Sequence, residues 1–194
     1  MSASPPSFPP KFWASEQGLI DLQPLGAVAP RADRVLDRLL IQEAFARFGI
    51  AHDENRVDVI LSLLTDDVSF EFSTGSAAPQ LVITGRDAVR EQLVPRVPLL
   101  YGQRRHCITN IVIDRLDDVE ATAIAYGVVP RAADGFVMQA TVIYRGDLRK
   151  EDDGFWRFRR FFIGVDDYAG EGPGSEGLPP IRDRSVRDRE VTAP

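Results

Sequence analysis

The stretch IQEAFARFGIAHDENRVDVILSLLTDDVSFEF, residues 41–72, changes its hydrophobic period along its length, and those changes decide the fold. Ile41, Ala44, Phe45, Phe48 and His52 fall at i, i+3, i+4, i+7 and i+11, the spacing of one face of an α-helix. Asp37, Arg38, Gln42, Glu43 and Arg47 take most of the remaining positions, so a helix beginning near Asp33 turns one side to water. DENR (53–56) breaks it, and VDVILSLL (57–64) reads as a second, shorter helix. In TDDVSFEF the period falls to two: Val68, Phe70 and Phe72 alternate with Ser69, Glu71 and Ser73, the pattern of a half-buried strand.

Downstream, STGSAAPQ is a loop and LVITG a short strand. RDAVREQLVPRV is a helix that Pro95 and Pro98 end. Four strand patterns follow, at 104–114, 119–130, 136–148 and 155–164, joined by the short polar connections RLDD, RAADG and RKEDDG. Helices followed by a run of antiparallel strands predict an α+β fold, with helices on one face of a curved, mostly antiparallel sheet. The space between the long helix and the concave side of such a sheet is the expected ligand pocket.

Upstream, residues 1–32 form a proline-rich arm that cannot hold a long helix but carries Phe8, Phe12 and Trp13, suited to docking on an apolar surface. The expected domain covers 33–167. Residues 168–194 are rich in Gly and Pro and read as a flexible tail without a core of its own. The arginines of RDRSVRDRE alternate with acids, so they leave little net field for nucleic acid.

Bulk composition narrows the function classes. With 194 residues, 44% hydrophobic and 27% charged, the chain suits one soluble domain with extensions. A net charge of -6 with no concentrated basic stretch argues against nucleic acid as the main partner. The apolar runs are too short to span a bilayer, and the N-terminus lacks a basic-then-apolar leader, so a cytoplasmic protein is expected. A single cysteine excludes an intrachain disulfide and a cysteine-cluster metal site. No HxH or HxxxH spacing, Gly-rich phosphate loop, GxSxG elbow or dinucleotide fingerprint is present, so neither metal nor cofactor is expected.

The candidates for chemistry are few. Strict alternation along RRHCITNIVID puts His106, Ile108, Asn110 and Val112 on one face and Cys107, Thr109, Ile111 and Ile113 on the other. Both faces are largely apolar, as in a central strand covered on both sides. His106 is either a base for proton transfer or a histidine satisfied by a neighbouring backbone group. His52 lies on the apolar stripe of the long helix, and Asp53 lies beside it at the helix end, where a carboxylate is unfavourable for the helix dipole. Tyr126 shares a face with Thr122, Ile124 and Val128. Arg160 shares one with Trp156, Phe158 and Phe162, either reaching an edge or meeting an anion in the cavity. Tyr144 is a further polar candidate. The pairs Asp66–Asp67 and Asp166–Asp167 stand at element junctions and read as structural.

Taken together, IQEAFARFGIAHDENRVDVILSLLTDDVSFEF, ITGRDAVREQL, RRHCITNIVID, ATAIAYGVV and GFWRFRRFF resemble SnoaL-like proteins of the nuclear-transport-factor-2-like superfamily, over roughly residues 33–165. The resemblance implies a cone-shaped, strongly curved sheet wrapped around the long helix and enclosing a pocket, in a homodimer or homotrimer. It also implies a dyad of Asp53 at the helix end and His106 on a later strand, by analogy with the scytalone dehydratase-like lyases. Where some members carry a tyrosine in the first helix, this chain has Phe48 and His52. The expected activity is that of a cofactor-independent lyase of dehydratase type, or an isomerase or cyclase, acting on an apolar, ring-containing small molecule. His106 would be the base; Arg160, Asn110 or Tyr126 would stabilise charge on oxygen. Phe48, Ile108, Val112, Met138 and Phe158 would wall the cavity. A non-catalytic binding protein and the small subunit of a ring-hydroxylating dioxygenase are the alternatives.

Overall fold

The computed structural model describes residues 11–26, 30–133 and 135–168, with the side chains of Asp167 and Tyr168 excepted; the tail beyond and the first ten residues lie outside the described residues. Four α-helices and seven strands follow in order: α1 (Trp13–Glu16), α2 (Val35–Asp53), α3 (Val57–Ser62), β1 (Leu64–Thr74), β2 (Leu81–Thr84), α4 (Arg86–Gln92), β3 (Gln103–Arg104), β4 (Cys107–Leu116), β5 (Glu120–Ala133), β6 (Gly135–Lys150) and β7 (Trp156–Tyr168). The strands form one sheet in the order β2-β1-β7-β6-β5-β3, with β4 also paired to β5. All neighbours are antiparallel except β1 and β7, which run parallel. The result is the expected α+β architecture: a strongly curled sheet wrapped around α2.

Helix α2 enters this sheet along the predicted stripe. Ile41, Ala44, Phe45 and Phe48 are all at most 3% exposed, against 66% for Leu36 and Ile50 on the opposite side. The inside of the curl is filled by aromatic side chains. Phe45 meets Phe158 edge-on at 5.0 Å, Phe48 meets Phe161 at 4.7 Å, and Phe158 stacks on Phe161 at 4.2 Å between ring centroids. Gly146 makes room for this layer, since a Cβ there would stand 2.6 Å from a ring carbon of Phe158. Offset and edge-on aromatic packing of this kind adds to the stabilisation that burial alone provides.

The outer face of the sheet has its own small core. Part of the N-terminal arm lies across it: Trp13, Ala14 and Leu19 pack on Ile124, Ile143 and Phe162. The Trp13 indole donates to Asp166 Oδ1 at 2.7 Å, and Arg145 donates to the Leu19 carbonyl at 2.9 Å. The Gln17 side chain accepts the Ala77 N–H at 2.8 Å, which ties the arm to the loop after β1. Trp13 therefore docks on an apolar surface, as expected, whereas Phe12 does not and is 74% exposed, and Phe8 lies outside the described residues.

Two bulges correct the face assignments made by strict alternation. Between Thr109 and Val112, β4 advances three residues while β5 advances two, from Tyr126 to Ile124. Asn110 sits in this step with φ of 53°, the left-handed region that asparagine tolerates better than most residues. Past the bulge, Val112 turns outward and is exposed, while Ile113 faces the core. β4 is also an edge strand, paired with β5 alone among the described residues, not a central one. In β7 the extra residue falls between Phe158, opposite Leu148, and Arg160, opposite Asp147. Phe158 and Phe161 therefore face the inner core, while Arg160 and Phe162 face outward.

Candidate functional site

The end of α2 and the segment leading into β4 meet at the mouth of the cone. Helix α2 stops at Asp53, and Asn55 follows with φ of 51°, the left-handed residue common just past a helix end. This termination frees the Asp53 side chain to turn toward the sheet. Its two oxygens both engage His106: Oδ2 accepts the backbone N–H at 2.6 Å, and Oδ1 lies 2.5 Å from the ring Nδ1. A carboxylate only accepts, so the hydrogen is on Nδ1, and in the neutral imidazole the lone pair is then on Nε2. That is the state of an imidazole able to take a proton.

Neighbouring contacts hold the geometry from several sides. Arg105 pairs with Glu54 at 2.7 Å, and the Gln103 amide donates to the Asp53 carbonyl at 3.3 Å. Gly49, one turn before Asp53, lets the helix approach closely: a Cβ there would stand 3.0 Å from the His106 carbonyl oxygen and 3.2 Å from the His106 Cβ. His52 completes the cluster. Its ring lies edge-on to that of His106, 4.5 Å between centroids, and its Nδ1 is 3.9 Å from Asp53 Oδ1. That nitrogen is buried without a hydrogen-bond partner. One helical turn thus supplies Gly49, His52 and Asp53 around a single residue of the facing strand.

Charge follows from these contacts. Burial alone would raise the Asp53 carboxyl, but the hydrogen bonds from the His106 ring and N–H, with the His52 ring close by, outweigh it and hold the group well below the usual carboxylate range. Burial pushes the His52 imidazole down, against the pull of Asp53 in the other direction. At neutral pH the cluster therefore carries a firmly ionised Asp53 and a neutral His52. His52, Asp53 and His106 each offer a ligand atom within 4.8 Å of one another. Asp53 Oδ1 and His106 Nδ1 already share a hydrogen, so the arrangement is a hydrogen-bonded dyad before it is a metal site.

Next to the dyad is an open cavity of about 160 Å³. Its lining combines the apolar Val97, Pro98 and Leu100 with the polar His52, Asp53, Asn55, Gln103 and Arg104. The expected apolar walls are elsewhere. Phe48, Tyr144 and Phe158 are packed in the aromatic core, at most 2% exposed, and Ile108 packs against the same core. Tyr126 and Met138 are on the outer face, about half exposed, and Asn110 is exposed on its bulge. Arg160, turned outward by the β7 bulge, donates to both oxygens of Glu71 at 2.9 and 2.7 Å, so its anion is a protein carboxylate. Cys107 is exposed on the face opposite Ile108, opposite Val128 of β5. The 94–104 segment and Gly49 were missed as site elements. Only Gly49 left a signal, a glycine inside a strongly helical stretch.

A model of the SnoaL-like domain matches residues 33–161. No curated protein matches the sequence. Among solved structures, Rv3472 from Mycobacterium tuberculosis, a protein of unknown function, is 26% identical with a TM-score of 0.61, covering 74% of this chain and 80% of that one. A Novosphingobium aromaticivorans protein described as a scytalone dehydratase is 19% identical with a TM-score of 0.59, covering 76% and 97%. The β subunit of an aromatic-ring-hydroxylating dioxygenase from the same organism is 18% identical with a TM-score of 0.61, covering 70% and 93%. At these last two identities the likeness is one of fold. No helix among the described residues is long and apolar enough to cross a membrane.

Proposed function

The chain belongs to the SnoaL-like family, and from that premise we propose that it is a cofactor-independent lyase of dehydratase type that works by His–Asp acid–base chemistry. The observation that carries this reading is the two-point grip of Asp53 on His106, at 2.6 Å to the backbone and 2.5 Å to the ring. In a ring compound with a hydroxyl β to a carbonyl, His106 Nε2 takes the proton from the carbon between them. The C–H bonding pair becomes the new double bond, the C–O bond breaks, and the departing oxygen takes the proton back as water. Asp53 holds the imidazole in the required tautomer and stabilises the transient imidazolium. Double-bond isomerisation and aldol-type cyclisation draw on the same base. We read the working unit as a homodimer or homotrimer acting in the cytoplasm without a partner chain.

The test is water loss from a panel of cyclic β-hydroxyketones, followed as growth of conjugated-enone absorbance. His106→Ala is expected to lower the rate by about a thousandfold with the fold intact, the scale of positioned general base catalysis. Near-normal rates in His106→Ala or Asp53→Asn would remove the dyad from the mechanism. Size-exclusion chromatography of the purified chain, joined to the same assay, addresses the partner: activity in a homo-oligomer alone excludes a subunit role.

A further inference from the structure

The imidazole that borders the open cavity is that of His52; His106 is not among the residues lining it. Three observations give His52 a task of its own. Its ring is largely buried, with 17% of the side chain exposed, and its Nδ1 is sealed from solvent with no hydrogen-bond partner. That nitrogen faces a carboxylate oxygen 3.9 Å away. A bare lone pair beside a carboxylate is repelled, whereas an N–H is attracted, so the hydrogen of neutral His52 belongs on Nδ1. Nε2 is then an acceptor. Asp53 and Arg104 in the lining carry opposite charges, which leaves the cavity no net charge to draw an ion.

Size sets the rest of the ligand. A cavity of about 160 Å³ is close to the volume, about 150 Å³, of an engineered apolar cavity that takes up benzene. Val97, Pro98 and Leu100 supply apolar surface for a flat ring within a lining that also holds His52. We propose that His52 is the ligand-recognition residue of this site, and that the ligand is a neutral single-ring molecule whose hydroxyl donates to His52 Nε2 while its ring rests on Val97, Pro98 and Leu100. The proposal names the ligand class for the cavity beside the dyad. It rests on that cavity being the ligand site, and it does not require the dyad to turn the ligand over.

The chain has only two histidines, so each imidazole gives its own pair of carbon–proton signals in an NMR spectrum, assigned by His52→Phe and His106→Ala. The probes are phenol, anisole and 2-naphthol, titrated into the full chain. Phenol is expected to shift the His52 signals in a saturable way. Anisole, which lacks the donor, and 2-naphthol, which carries a second ring, are expected to bind at least tenfold more weakly. His52→Phe keeps a ring and removes the acceptor, and is expected to weaken phenol about tenfold, the scale of one hydrogen bond to a buried acceptor. Val97→Trp fills the cavity while keeping the imidazole in the chain, and is expected to abolish the shifts. Equal affinity for phenol and anisole overturns the hydroxyl contact, and equal affinity for 2-naphthol overturns the single-ring limit. Phenol binding that survives both variants overturns the site. Loss of catalysis in His106→Ala alongside intact phenol binding leaves this proposal standing, whereas a catalytically silent chain that binds phenol separates the two readings.

Discussion

The outer face of the sheet and the mouth of the cone both bury carboxylates, but they satisfy them differently. On the outer face, Glu71 meets the Arg160 guanidinium through two hydrogen bonds, Asp147 meets Arg145 at 3.3 Å, and Asp166 accepts the Trp13 indole. Glu71 and Asp147 face cations that stay charged across the physiological range, so nothing there changes state. At the mouth, Asp53 faces two imidazoles, groups that can carry a proton on either nitrogen, and one of their nitrogens has no partner. A fixed network fits a structural role. A carboxylate set against titratable rings fits proton transfer.

Substitutions can break that contrast in order of expected effect. Asp53→Asn keeps the shape of the dyad but loses its charge, and is expected to cut turnover by about a hundredfold or more while the fold persists, as circular dichroism would verify. Activity close to that of the parent would place Asp53 with the fixed carboxylates of the outer face. Trp13→Ala removes a buried indole from the arm and is expected to cost about 3 kcal/mol in urea unfolding. Its activity per folded molecule should be unchanged, because Trp13 touches the other face; a rate loss without a stability loss would contradict this. Gly49→Ala forces the helix away from His106 and is expected to cost about 2 kcal/mol. It should also move the His106 ring signals, which a substitution in the outer core should leave in place. Glu71→Gln is expected to cost about 1 kcal/mol, since Arg160 is partly exposed and solvent takes up part of the loss.

The pH dependence of stability is the most diagnostic effect, because it has a sign. The folded-state pKa of Asp53 is lowered, so its contribution is fully present above about pH 5 and is lost as pH falls through and below about 4. The stability gap between the parent chain and Asp53→Asn should therefore close on acidification. His52 acts in the same direction for a different reason: it is buried neutral, so folding opposes its protonation, and stability declines below its unfolded value of about 6.5. His52→Phe should flatten the pH dependence of unfolding between about pH 6.5 and 5. A curve of unchanged slope in that window would mean that His52 is not held neutral by burial.

Much of this was legible in the sequence, and the reasons differ by element. The long helix and the inner strand residues repeat a period, and a period survives without knowledge of tertiary contacts. The Asp53–His106 juxtaposition followed from the family resemblance; the helical wheel alone favoured His52, and the structure brings both side chains to one place. The face assignments of Asn110, Val112 and Arg160 failed for one physical reason. A single bulged residue inverts inside and outside for everything beyond it, and composition does not count residues across a partner strand. Asparagine at position 110 was the one visible hint, as a residue tolerant of positive φ. The cavity wall from Val97 to Leu100 was illegible because its position depends on where a non-repetitive segment is carried in space.

The bond from Trp13 to Asp166 joins residues 153 positions apart. On the ribosome the arm emerges before the strands it covers, and that surface is finished only when β7, the last strand described, has been made. Until then Ile124 and Ile143 stand uncovered, with the arm waiting beside them. A shortened arm would leave that surface open permanently, so the penalty of truncation should be seen in the yield of soluble protein from cells before it is seen in any assay of the folded chain.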